Sequence, residues 1–318
     1  MQTFRLLTCL TLLVACSKPS AKHDAADVMV RPSATTIARA FGPTVAGRFY
    51  PDDPQRLEEM VEGYISSGHA NAASADSDRR KIAIVAPHAG YVHSGSTAGV
   101  AYAAVSKLDI KTVVILSPSH HGRRNYACLL GADAYRTPLG LVAIAQDLVQ
   151  ALTKANANLL KVEEDLFQPE HAADVHIPFV QKTFPQARVV PIIVPMMPLK
   201  RLEQVGEVLH RVLAKNRQAL VVISSDLSHF FEYEKAKGMD AAMVEEIERM
   251  DAIALVEKHD MRRGPCGLAP IVVSLAFLKG FGEGGKVTRL QVHNSGDVPG
   301  GDKEHVVGYP ALVFSVPK

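Results

Sequence analysis

The chain has 318 residues, 47% hydrophobic and 21% charged, which is a globular composition and neither a disordered chain nor a disulfide-stapled miniprotein. Lys plus Arg is 35 and Asp plus Glu is 33, a formal charge of +2, so there is no electrostatic case for nucleic acid as a partner. Four cysteines with no C-x-x-C pair exclude a disulfide framework and a four-thiolate zinc module, and thirteen histidines need another explanation.

The N-terminus carries one Arg5 and then an apolar run from Leu6 to Ala15, the pattern of a secretory signal and too short for a permanent span. Leu13-Val14-Ala15-Cys16 resembles the lipobox of bacterial lipoproteins. The expectation is a signal peptide over 1–15, cleavage before Cys16 and lipidation of that cysteine. Residues 16–42, rich in Ser, Ala, Lys, Pro, Asp and Thr, then read as a tether, and 43–318 as one folded domain. This places the protein in the bacterial cell envelope, touching membrane through the anchor only.

Along the body, β-branched apolar runs predict strands at Lys81–Ala86, Thr112–Leu116, Arg188–Val194, Ala219–Ser224, Lys286–Val292 and Tyr309–Val316. Pro191 suggests an edge or bulge in the third. Helices are predicted at Gly95–Lys107, Ile144–Asn156, Asp174–Thr183, Leu199–Asn216, Gly238–His259 and Ala269–Lys279. Ser66–Arg80 reads as a surface loop. The alternation predicts an α/β fold, a mainly parallel central sheet between two helical layers.

Ligands of such sheets bind beyond the carboxyl ends of the strands. There, Pro87-His88-Ala89-Gly90, Ser119-His120-His121-Gly122 and Ser225-Asp226-Leu227-Ser228-His229 follow three different predicted strands. Imidazole and carboxylate at one crevice suit a transition metal, and equally acid–base work. Of His120 and His121 only one need face inward. His171 and His176, five apart, do not share a helical face, so one points to the crevice and the other packs elsewhere. Glu170 and Asp174 are also explained as acidic dressing of a helix start. Cys266, in Gly264-Pro265-Cys266-Gly267 before a helix, is either a thiol with a favoured thiolate or a small filler. Cys128 reads as packing. Gly280–Val287 mimics a P-loop but joins a helix to a strand, the wrong order. Ser224-Ser225 near His229 lacks the elbow of a hydrolase nucleophile.

Ala46-Gly47-Arg48-Phe49-Tyr50-Pro51, Ala86-Pro87-His88-Ala89-Gly90-Tyr91, Ser117-Pro118-Ser119-His120-His121 and Glu170-His171 with His176-Ile177-Pro178-Phe179 occur in order. They are followed by Ser224-Ser225-Asp226-Leu227-Ser228-His229, Cys266-Gly267, Asn294-Ser295-Gly296-Asp297 and Val307-Gly308-Tyr309. Together these eight motifs resemble the Memo family, called AmmeMemoRadiSam system protein B in prokaryotes. The resemblance implies a fold similar to class III extradiol (LigB-like) dioxygenases, with a pocket in the place of their non-heme iron site. It implies metal ligation by His88, His120 and Cys266, of one Fe(II) or Cu(I) ion, with Asp226, His229 and His176 as neighbouring acid–base residues. The chain departs from the family's usual pattern at His93, Ala172 and Asp174. Two functions are expected: a metal-dependent redox enzyme, or a non-catalytic surface lipoprotein that binds a metal or a small-molecule or peptide ligand.

Overall fold

The predicted apolar runs do form strands. The computed structural model describes residues 38–72, 78–259 and 264–318. The expected signal peptide, Cys16 and nearly all of the tether lie outside these residues. In chain order the strands are β1 (Ala40–Phe41), β2 (Arg79–Ala86), β3 (Thr112–Ser117), β4 (Ala127–Leu129), β5 (Ala134–Thr137) and β6 (Gly140–Ala143). They continue with β7 (Leu160–Val162), β8 (Arg188–Ile193), β9 (Ala219–Ser224), β10 (His229–Phe231), β11 (Lys286–Asn294) and β12 (Val306–Pro317). The helices are α1 (Pro54–Ala72), α2 (Tyr91–Ala103), α3 (Gln146–Ala155), α4 (Ile177–Thr183), α5 (Leu199–Leu213), α6 (Tyr233–Glu248), α7 (Ala252–Lys258) and α8 (Leu268–Lys279).

The main sheet runs β10-β12-β2-β9-β3-β8-β4-β7, with β11 also on β12. Only the central four, β2, β9, β3 and β8, form a continuous parallel block. Antiparallel pairs flank it: β12 runs against β2 and β11, and β4 against β8. Every residue of β3 and β9 is buried, as strands covered on both faces must be. Helices α1, α2 and α4 pack together, and α5 packs with α3 and α8, giving the layers on either side of the sheet. A small second sheet, β1-β5-β6, lies apart from this path. One main hydrophobic core runs from Phe41 to Val316. Among the described residues no helix is long and apolar enough to cross a membrane.

Pro191 sits inside β8, opposite Ile115, and not at an edge. Its carbonyl accepts from Leu130 N–H at 3.3 Å, so its nitrogen also faces the β4 side, and the β3 ladder loses nothing. The helix expected over 238–259 is two, because Met250 turns the chain at φ +58 and Asp251 caps α7 by accepting from Ala254 N–H. Residues 174–183 begin as a short 3-10 turn before α4.

The expected loop over Ser66–Arg80 is corrected. Its first part is the end of α1, and β2 already begins at Arg79. Within it, Gly68 and Ala72 are buried and form a packing face of α1. A Cβ on Gly68 would lie 2.7 Å from the Gly99 backbone, and one on Gly99 would lie 2.3 Å from Tyr64 O. Two helices approach this closely only where side chains are absent.

This contact yields a paired prediction. Gly99→Ala should lower the unfolding free energy by about 1–3 kcal/mol in urea titration, because the new methyl meets backbone that cannot yield. Gly63→Ala, also on α1 with nothing within 4 Å, should raise it by up to about 1 kcal/mol. A stabilised Gly99→Ala protein would contradict the close α1–α2 contact.

Candidate metal centre

Three neighbouring strands of the parallel block end at one place. β2 leads to His88, β9 to Asp226 and β3 to His120. His88 and Asp226 are tied directly: His88 N–H donates to Asp226 Oδ1 at 2.8 Å. Behind them, Ser225 N–H donates to Ala86 O at 3.1 Å.

Cys266 arrives from the start of α8. Gly267 makes this possible, since a Cβ there would lie 2.4 Å from Ser224 O. The Gly267 N–H donates to Ser225 Oγ at 3.1 Å. The thiol then stands 3.0 Å from His88 Nε2, and it accepts from Asp226 N–H at 3.3 Å.

On the outer side stand His120 and His171. Glu170 is buried at 2% exposure. It accepts from the backbone N–H groups of His120 at 2.8 Å and of His171 and Ala172 at 3.0 Å. Its Oε1 also lies 2.8 Å from His120 Nδ1, which donates to it and leaves the Nε2 lone pair free. Glu170 is therefore no surface dressing of a helix end; it orients His120. The same correction holds for Asp174, which accepts from Thr44 N–H, Thr44 Oγ1, Val45 N–H and Tyr50 OH at 2.8–2.9 Å. It thereby anchors the segment carrying Phe49, whose ring lies 4.8 Å from that of His171.

His171 is the member of the His171/His176 pair that reaches the crevice. Its ring stacks on His120 at 4.7 Å and meets His88 edge-on at 5.3 Å. His176 is 1% exposed and lies behind His88, with Nε2 at 3.0 Å from Ser224 Oγ. It is not at the crevice where an acid–base residue would meet a ligand. His121 joins neither donor group, so the inward member of that pair is His120. His229 begins β10, and its Nδ1 is buried with no hydrogen-bond partner among the described residues. Cys128 is fully buried within β4.

Two sets of donors result. His88, His120 and His171 have one ligand atom each within 4.8 Å of one another, and so do His88, Asp226 and Cys266. His88 belongs to both. The three residues that the family resemblance implies are thus divided between the sets, and His171 and Asp226 complete them. The sequence signal for His171 was the Glu170-His171 motif itself.

Burial pulls the His88 imidazole well below its usual range, with the neighbouring imidazoles adding to this. Burial likewise takes His171 down to about 4 and His176 to about 3. For His120 burial pulls downward, but the Glu170 carboxylate outweighs it and raises the ring. Burial pushes Asp226 up to about 7, against the His88 and Ala89 backbone N–H groups. Burial, with Asp226 beside it, pushes the Cys266 thiol up as well. The thiolate expected from the start of α8 is not favoured, because desolvation exceeds the helix-end effect.

These donors fit a transition metal. The neutral imidazoles of His88 and His171 offer lone pairs, His120 offers its Nε2 once it has lost its second proton, and the buried thiol and carboxyl hold protons that a cation can replace. Fe(II) and Cu(I) both lie within the range of such a nitrogen, sulfur and oxygen set.

Comparison with known proteins agrees with the motifs. The description "Memo-like protein" matches residues 42–313. A MEMO1 family protein of Nitrosopumilus maritimus (strain SCM1) is 33% identical over 278 residues, covering 86% of this chain and 98% of that one. Another, from Methanopyrus kandleri, is 32% identical over 281 residues with the same coverage. A crystal structure of an uncharacterized Escherichia coli K12 protein aligns with 73% of this chain and 99% of its own, at 13% identity and TM-score 0.46. That last likeness adds nothing to the strand order. With the family description matched over most of its length and such relatives covered almost whole, the chain belongs to the Memo-like family.

Proposed function

We propose that this protein binds one Fe(II) or Cu(I) ion through His88, His120 and Cys266, and carries out a metal-dependent redox reaction of the dioxygenase-like kind. The observation that carries the reading is the convergence of donor atoms on His88, all within 4.8 Å in each set. His171 and Asp226 are the additional ligands available to the ion. When bound, such an ion supplies Lewis-acid polarisation and electron transfer. The chain supplies the rest. His120 and His171 keep 27% and 20% of their side-chain surface, so a ligand approaches from their side. His229, whose Nδ1 has no hydrogen-bond partner among the described residues, is the imidazole assigned to hold a ligand's proton. Asp226, with its carboxyl near neutrality, is the group that exchanges a proton at ordinary pH.

A second reading has its own observation. His88, Asp226 and Cys266 are only 2%, 4% and 2% exposed, which suits a protein that holds a metal without turning over a substrate. In either case the reading places the protein at the bacterial cell envelope, anchored by lipid on Cys16.

Three experiments test this. The full-length protein, loaded anaerobically with Fe(II) or Cu(I), should retain about one ion, and oxygen uptake with catechols or thiols should distinguish the two readings. A His88→Ala, Cys266→Ala double variant should lose the metal; full loading of that variant would refute the site.

Metal affinity should rise with pH. The Cys266 thiol sits above its ordinary value and Asp226 near 7, so both are largely protonated below neutrality, and each must release its proton to act as a ligand. Competitive titration between about pH 6 and 8 should show roughly tenfold tightening per unit for each proton released. A flat profile would mean that neither group ligates.

Metabolic labelling with a fatty acid should mark the wild-type protein and spare Cys16→Ala. Equal labelling of both would refute the anchor.

A further inference from the structure

We propose that Ser224 is a positioning residue that sets the tautomer of His88, and with it the nitrogen that faces the metal. This rests on the metal-binding reading above, but its first test needs no metal. Ser224 closes β9 and is fully buried. Its Oγ has three close neighbours: Ala172 O at 2.7 Å, His88 Nδ1 at 2.6 Å and His176 Nε2 at 3.0 Å.

A hydroxyl has one proton and two lone pairs. A carbonyl oxygen has no proton to give, so the short contact to Ala172 O requires that Ser224 donate there. Both lone pairs of Oγ then face ring nitrogens, and each nitrogen must carry a hydrogen. His88 is therefore the Nδ1–H tautomer and His176 the Nε2–H tautomer.

Each assignment has a separate check at the far side of its ring. His88 Nε2, left with a lone pair, faces the Cys266 thiol at 3.0 Å, which donates to it. His176 Nδ1, left with a lone pair, faces Tyr102 OH at 3.3 Å. Tyr102 thus holds His176, His176 and Ala172 hold the Ser224 hydroxyl, and the hydroxyl holds His88. His176 has a positioning role in this chain, two hydrogen bonds removed from the donor atom.

One consequence concerns stoichiometry. The His88 ring offers a single lone pair, yet it belongs to both donor sets. The two sets cannot each hold an ion through His88 at once. An ion held through His88 in one set excludes a second ion held through His88 in the other.

The test uses the intact chain, metal-free, with ring-nitrogen-labelled histidine. Long-range proton–nitrogen correlation should show His88 as Nδ1–H and His176 as Nε2–H, with assignments from His88→Gln and His176→Gln. His88 found as Nε2–H would overturn the proposal, whether or not the protein binds metal. Ser224→Ala should abolish the fixed His88 pattern and weaken Co(II) binding by about 10–100-fold. Ser224→Thr, which keeps the hydroxyl, should restore both. A folded Ser224→Ala protein with wild-type Co(II) affinity and an unchanged His88 tautomer would also overturn it. If Ser224→Ala does not fold, the wild-type spectrum decides. Failure of Co(II) to bind the wild type, with the tautomers as assigned, would reject the metal reading and leave the hydrogen-bond assignment standing.

Discussion

Everything at this site turns on the orientation of one buried imidazole. His88 is 2% exposed, so water cannot satisfy its nitrogens. All three are met by protein instead: Nδ1 by Ser224, Nε2 by Cys266 and the backbone N–H by Asp226. The partners come from β9, from the loop after it and from the start of α8. Strand register brings the first two into reach, because Ala86 pairs with Ser224 in the parallel β2–β9 ladder. The third depends on Gly267, which lets α8 press against the β9 end without a side chain between. The ring is thus fixed by the fold and not by its own loop.

Two acidic residues on one short segment do the matching work for the outer half. Glu170 and Asp174 are four positions apart and both buried. Each would be costly if left unpaired, and each is paid for with four hydrogen bonds. Glu170 aims His120. Asp174 fastens Thr44 to Tyr50, and so seats Phe49 beside His171. The Ala46–Pro51 motif, which carries no ligand, owes its place to this contact.

Much of this was legible from the residues. Four β-branched runs made the parallel block, because a strand covered on both faces can be apolar throughout. Positions just after those strands then held His88, His120 and Asp226, since parallel strands bring their carboxyl ends together. The rest depended on tertiary contacts. Glu170 reads like any acid near a helix start until its burial is known. The choice between His171 and His176 depends on a 3-10 turn that spacing alone does not reveal. Ser224 carries no sequence mark of its role, which exists only through the rings on either side. The end of α1 was hidden for the opposite reason. Its small residues resemble a loop, and only the approach of Gly99 on α2 shows Gly68 to lie in a seam.

The protonation of the buried groups bears on which ion the site prefers. Cys266 and Asp226 both resist ionisation, mainly through burial, and the Asp226 carboxylate adds to the resistance of the Cys266 thiol. A divalent ion such as Fe(II) balances both charges once thiolate and carboxylate have formed, leaving the site formally neutral. A monovalent ion such as Cu(I) balances one. The thiolate is the better partner for a soft ion, so Asp226 would keep its proton, as a carboxyl held near neutrality readily does. On the proposed reading the two candidate ions would differ by one proton at Asp226: beside Cu(I) that carboxyl would stay an acid, and with Fe(II) it would become a ligand. Its place in any reaction is set by which ion the imidazoles admit.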